Sequence, residues 1–110
     1  MKMIFHFNKG EVVVKYKFNE DVLLEEIGQY IDRTYEQHYS NSKLQSTEVI
    51  MDNGHGAGFC LGNVVKYAQR YGKKGESEED FRKDLLKIIH YGILALHNHD
   101  LTYGDFEYED

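Results

Sequence analysis

Between Gly58 and Gly75 the chain reads GFCLGNVVKYAQRYGKKG. Asn63, Lys66, Tyr67 and Arg70 stand at i, i+3, i+4 and i+7, the spacing of one side of a helix. Gly72 ends that helix, and Lys73 and Lys74 follow at once. Arginine offers a planar fork to phosphate and lysine a point charge. Asn63 can read the edge of a base, and Tyr67 can stack on one. On a chain of formal net charge −6, such a donor face points to an anionic ligand with an aromatic part, for which a nucleotide is the natural candidate. The competing reading is a solvated helix face whose cations pair with Glu76, Glu78 and Glu79.

Other reactive residues carry weaker signals. Asp84, Lys87 and Tyr91 repeat the i, i+3, i+7 pattern further along. His90, His97 and His99 cluster late in the chain, but zinc would need a third ligand such as Cys60, and no HExxH or CxxC pattern occurs. A cap or surface role is expected for these histidines, and no metal site. Cys60 falls on an apolar stripe, where a cysteine packs rather than reacts. The P-loop pattern is absent, since Gly72-Lys73-Lys74-Gly75 has neither its spacing nor its trailing hydroxyl. Gly54-His55-Gly56-Ala57-Gly58 is either an inter-helix linker or a turn presenting N–H groups to phosphate. The acids at Glu25/Glu26 and Glu78/Glu79/Asp80 suggest the magnesium-holding carboxylates of helical nucleotide pyrophosphatases. At a helix start, complementation of the dipole explains the second group without a metal.

The elements that must position these residues read as α+β, mainly α: an N-terminal β-hairpin followed by a bundle of three to four helices. Residues 2–7 and 11–18 are rich in β-branched and aromatic residues around an Asn8-Lys9-Gly10 turn, a hairpin signal over 1–18. Asn19 reads as the cap of a helix over 19–37, with Leu23, Leu24, Ile27, Ile31 and Tyr35 at helical spacing. A short helix from Ser46, the helix from Gly58, and a long helix capped by Ser77 make up a core over 38–99. Their apolar faces are read as Cys60/Leu61, Val64/Val65, Ala68 and Tyr71 on one, and Phe81, Leu85, Ile88/Ile89, Gly92/Ile93 and Leu96 on the other. An acidic aromatic tail occupies 100–110.

With 110 residues and 41% hydrophobic content, one domain with a modest core is expected. Nineteen acidic against 13 basic residues argue against general nucleic-acid binding. No apolar run approaches bilayer length, and the N-terminus lacks the pattern of a signal peptide, so neither membrane nor export is expected. A single cysteine excludes an intramolecular disulfide.

Four pieces of this sequence resemble a family of small bacteriophage proteins in order and spacing: His38-Tyr39, Glu48-Val49-Ile50, FCLGNVVKYAQRYGKKG, and Asp84-Leu85 with Lys87 and Tyr91. One branch of that family is a phage nucleotide kinase acting on deoxynucleoside monophosphates. The resemblance covers about residues 38–96 and implies that His38, Tyr39, Asn63, Lys66, Tyr67, Arg70, Asp84, Lys87 and Tyr91 line a shared nucleotide site, in the cytoplasm of an infected bacterium. Two functions follow as expectations. One is a homo-oligomeric protein that sequesters a nucleotide or cyclic nucleotide, such as a host defence signal, with no cofactor. The other is a nucleotide kinase using ATP and magnesium; a helical pyrophosphohydrolase is weaker.

Overall fold

The computed structural model describes residues 13–38 and 42–104. They form four helices: α1 (Glu20–His38), α2 (Ser42–Asp52), α3 (Gly56–Arg70) and α4 (Glu78–Tyr103). There is no strand among the described residues, so the expected α+β architecture gives way to an all-helical one. Residues 13–16, within the expected second strand, are irregular, and Val13 and Val14 lie exposed. Their β-branched alternation fits a pleated surface, but such a run makes a strand only against a partner and under a covering layer. The expected first strand, 2–7, and the Asn8-Lys9-Gly10 turn lie outside the described residues.

Local chemistry accounts for most helix boundaries. Ser77 caps α4 as its sequence suggests, its hydroxyl accepting from the Asp80 N–H at 3.3 Å, with Glu78, Glu79 and Asp80 in the positive first turn. Asn19 enters α1 at φ 59°, a left-handed conformation that asparagine tolerates, and its carbonyl accepts from the Leu23 N–H. Helix α2 starts at Ser42 rather than Ser46, and α3 at Gly56 rather than Gly58. The turn between them is closed by Gly54 and His55 N–H groups donating to Met51 and Ile50 carbonyls. α4 runs into the expected tail as far as Tyr103, with Gly104 as its C-cap; residues 105–110 are outside the described set.

The most extensive packing is between α3 and α4. Arg70 meets Asp84, Tyr71 meets Phe81, Tyr67 meets Tyr91, and the start of α3 at Gly56 abuts Asn98. As one number rises the other falls, so the two helices form an antiparallel hairpin. At its open end a Cβ on Gly56 would collide with the Asn98 carboxamide, so a larger residue there would have to displace that side chain. Helix α1 crosses α4, tied by a bidentate Arg82–Glu26 pair whose Nε–Oε2 arm is 2.8 Å, and α2 packs on α3 and α1.

The hairpin leaves exposed much of the face that its apolar periodicity assigns to the core, although Cys60 of that stripe is fully buried and Tyr71 meets Phe81. On α3, Tyr67 is 8% exposed while Leu61 and Val65 are 57% and 63% exposed. On α4, Asp84 is 1% exposed, whereas Leu85, Ile89, Ile93 and Leu96 of the expected core face are all exposed. Among the described residues the buried apolar side chains are Ile27, Cys60 and Tyr67.

Candidate functional site

Tyr67 is the centre of the polar face. From α3 its ring stacks on Tyr91 of α4, with centroids 6.0 Å apart and planes at 15°. Phe59 meets Tyr91 edge-on at 5.9 Å. Three cations surround the Tyr67 ring: Lys66 and Lys87 with Nζ 4.9 Å from its centroid, and Arg70 with Cζ at 5.7 Å. The negative face of an aromatic ring attracts each of them. The arrangement collects positive charge around one partly hidden phenol, an attractive field for an anion. Burial, the neighbouring tyrosines and Cys60 raise the phenol pKa of Tyr91, which keeps it a neutral hydrogen-bonding group.

Asp84 is the counter-charge. Its Oδ1 lies 3.3 Å from Arg70 Nε, yet that nitrogen and both carboxylate oxygens lack a hydrogen bond. A nearly fully buried carboxylate with an ion-pair partner but no hydrogen bond is costly and calls for an explanation. Here it fixes the direction of Arg70, the one cation at the ring that holds an ion pair with a buried acid.

Beside this cluster the helices enclose a cavity of about 450 Å³. Tyr67, Lys87 and Tyr91 form its floor, Tyr30 and Thr34 of α1 one wall, and Glu48, Met51 and Asp52 of α2 the other. His90 and His97 close it along α4, with His90 edge-on to Tyr30 at 6.1 Å. The burial that forms this wall also raises the Tyr30 phenol. An aromatic floor with one lysine and two carboxylates on the facing helix can accept a flat heterocycle, answer its amino groups and hold an anion. The volume lies within the range for one drug-sized ligand.

Six of the residues singled out in the sequence converge here: Lys66, Tyr67, Arg70, Asp84, Lys87 and Tyr91. Only Tyr67, Lys87 and Tyr91 line the cavity itself; Lys66, Arg70 and Asp84 lie behind or beside the floor. Asn63 donates to the Phe59 carbonyl at 2.8 Å, spending an amide N–H within its own helix. Lys73 and Lys74 sit exposed in the turn after α3, with backbone N–H groups bonded to the Arg70 carbonyl, outside the cavity lining. His38 is the last residue of α1, its side chain outside the described set along with Tyr39.

The wall residues were missed because spacing within one helix does not say which helix stands opposite. One signal was present: Lys87, His90, Tyr91, Leu94, His97 and Leu101 share a stripe of α4, which places the two histidines on the cavity wall. Cys60 is fully buried and its thiol pKa is pushed up by that burial, which disfavours the nucleophilic thiolate. The Gly54–Gly58 segment leads into α3 at the hairpin's open end and is not among the residues that line the cavity. Among the described residues no group of three or more His, Cys, Asp or Glu side chains is placed to hold a metal ion, and no helix is long and apolar enough to cross a membrane.

A family model described as protein of unknown function, DUF3310, matches residues 33–92. That is more than half of the chain, and the chain belongs to this family. The matched region contains α2, α3 and the first half of α4, hence the whole charged floor, while Tyr30 and His97 fall outside it. No curated protein and no solved structure matches.

Proposed function

We propose that this DUF3310 protein binds a nucleotide-derived small molecule in the cavity between the α3–α4 hairpin and helices α1 and α2, and sequesters it. The observation that carries this reading is Tyr67, ringed by Lys66, Arg70 and Lys87 at the floor of a 450 Å³ cavity. In this reading the base lies against the Tyr67/Tyr91 floor, its amino groups donate to Glu48 or Asp52, and Lys87 meets the phosphate. The setting we propose is the cytoplasm of a phage-infected bacterium, where capture of a nucleotide or cyclic nucleotide signal would blunt a host defence.

The second reading is a deoxynucleoside monophosphate kinase. It is supported by the phrase FCLGNVVKYAQR with its following KKG, which resembles a family of small bacteriophage proteins of which one branch is a nucleotide kinase. Phosphoryl transfer is largely positioning and charge neutralisation, and Lys87, Glu48 and Asp52 share one cavity. A kinase must hold two nucleotides together, however, and a cavity near the lower end of the single-ligand range favours capture of one.

One experiment separates the two. The pure protein is incubated with nucleotides and cyclic nucleotides, with and without ATP and magnesium, then heat-denatured, and the released molecules are weighed by mass spectrometry. Release of an intact, co-purifying ligand is the expected result. A new phosphorylated product would transfer the assignment to the kinase, and failure of every nucleotide to bind would end both readings.

A further inference from the structure

We infer that the side of the α3–α4 hairpin facing away from the cavity is the interface with a second copy of this chain. Leu61 and Val65 on α3, and Leu85, Ile89, Ile93 and Leu96 on α4, are each between 41% and 64% exposed. The antiparallel register brings Leu61 level with Ile93 and Val65 level with Ile89, so the two rows form one strip. Val64 and Ala68 continue the α3 row, and no charged residue interrupts positions 61, 64, 65 and 68 or 85, 89, 92, 93 and 96. The cavity-facing stripe of α4, with Lys87, His90 and His97, lies on the other side of the helix.

The strip is as large as the largest apolar patches that monomers carry, and such patches mark interaction sites. Six such side chains expose on the order of 500 Å², near the upper limit of roughly 600 Å² for the largest patch on a monomer. With a rim of neighbouring residues it approaches the roughly 800 Å² per partner that a stable interface buries.

The occupant follows from the size of the strip and from what lies buried among the described residues. Only Ile27, Cys60 and Tyr67 are buried apolar side chains among the described residues, and the largest fully buried one is the charged Asp84. Four helices with so little apolar interior among the described residues gain most from a partner made together with them, which a second copy is. Obligate interfaces of that kind resemble a domain core cut in half. An uncharged strip running along two antiparallel helices is self-complementary about a two-fold axis: two hairpins pressed together make a four-helix bundle with Ile89 near its middle. The strip carries no charge, so the net −6 of each copy is kept off the contact.

The full chain should sediment as a dimer or a multiple of it at micromolar concentration, with a thermal midpoint that rises as concentration rises. Ile89→Glu should weaken assembly at least about 100-fold, while Leu24→Glu, on an exposed apolar residue of α1, should leave it intact. Because the charged variant can also fail to fold, Ile89→Cys provides a second test. With Cys60 buried and left in place, mild oxidation should yield a covalent dimer from Ile89→Cys and none from Leu24→Cys. A wild-type chain that sediments as a monomer and unfolds cooperatively at a concentration-independent midpoint would overturn the inference in favour of a heterologous partner. Assembly that survives Ile89→Glu, or cross-links through Leu24→Cys alone, would overturn it in favour of another face.

Discussion

The α3–α4 hairpin has two sides that invert the usual division of labour. The side packed inward carries Tyr67, Arg70, Asp84, Lys87 and Tyr91, and the side turned outward carries Leu61, Val65, Leu85, Ile89, Ile93 and Leu96. An ordinary surface helix buries its apolar stripe and wets its polar one. Here the inner side is held by ring stacking, cation–π contacts and one buried ion pair, interactions that are individually modest. The outer side has the apolar content of a core, and its side chains are exposed. The difference teaches that polarity alone does not mark the inside of a small module. The two proposals give each side a complement: for the inner one a charged aromatic ligand, for the outer one another apolar strip.

The largest effect expected comes from breaking the inner side at its ion pair. Arg70→Ala leaves Asp84 buried and unpaired and should cost about 3–5 kcal/mol in urea or thermal unfolding, a large share of the stability of any small domain. Asp84→Asn should cost less, because Arg70, with its side chain 32% exposed, can turn to water. Equal losses from the two changes would show that burial of the carboxylate is not what makes the pair costly to break. Next is Lys87→Ala, which tests whether the inner side is built for a ligand. It should weaken nucleotide affinity by about 1.5–3 kcal/mol, the range for a hydrogen bond to a charged group, while Lys73→Ala, outside the cavity, leaves affinity unchanged. Equal effects would move the anion to the turn after α3.

Gly56→Ala acts on both sides together, since the added Cβ meets Asn98 where the hairpin closes. A loss of about 1–3 kcal/mol is expected from overpacking, relieved by adding Asn98→Ala; a loss without relief would place the strain elsewhere. The smallest effect belongs to Glu26→Gln, which loosens α1 from the inner side alone. Hydrogen bonding from Arg82 holds the Glu26 carboxyl below its ordinary value of 4.5. Its contribution is therefore complete above the unfolded value and is lost as pH falls through the lower folded one. The pair is partly exposed and screened by solvent and salt, so the variant should differ slightly from wild type near neutral pH and converge with it in acid. A gap that widens in acid would contradict the sign.

How much of this was legible in the sequence depends on whether the signal was local. The Ser77 cap, the acidic first turn of α4 and the helical spacing of Asn63, Lys66, Tyr67 and Arg70 are local, and all appear in the structure. The α4 triplet Asp84, Lys87 and Tyr91 was also legible as one stripe. Periodicity placed Cys60 inside correctly but also sent Leu61, Val65, Leu85, Ile89, Ile93 and Leu96 to the interior, because it cannot tell a stripe covered within the chain from one left exposed on it. The β-branched run before α1 misled for a related reason: its alternation would make a strand only beside a partner, and none stands among the described residues. Tyr30, Thr34, Glu48 and Asp52 stayed hidden because their role depends on how α1 and α2 cross the hairpin.

The separations along the chain have a consequence for the order of assembly. Arg70 and Asp84 close the hairpin across a short stretch of sequence, whereas the Glu26–Arg82 tie of α1 spans 56 positions. Short loops close at lower entropic cost, and local pairings form sooner than distant ones. During synthesis α1 leaves the ribosome before the other three helices, yet Arg82, its tie on α4, is added 56 positions after Glu26. Of the four helices the first made thus docks last, and the exposed Leu23 and Leu24 must stay out of aggregates until α4 has been made.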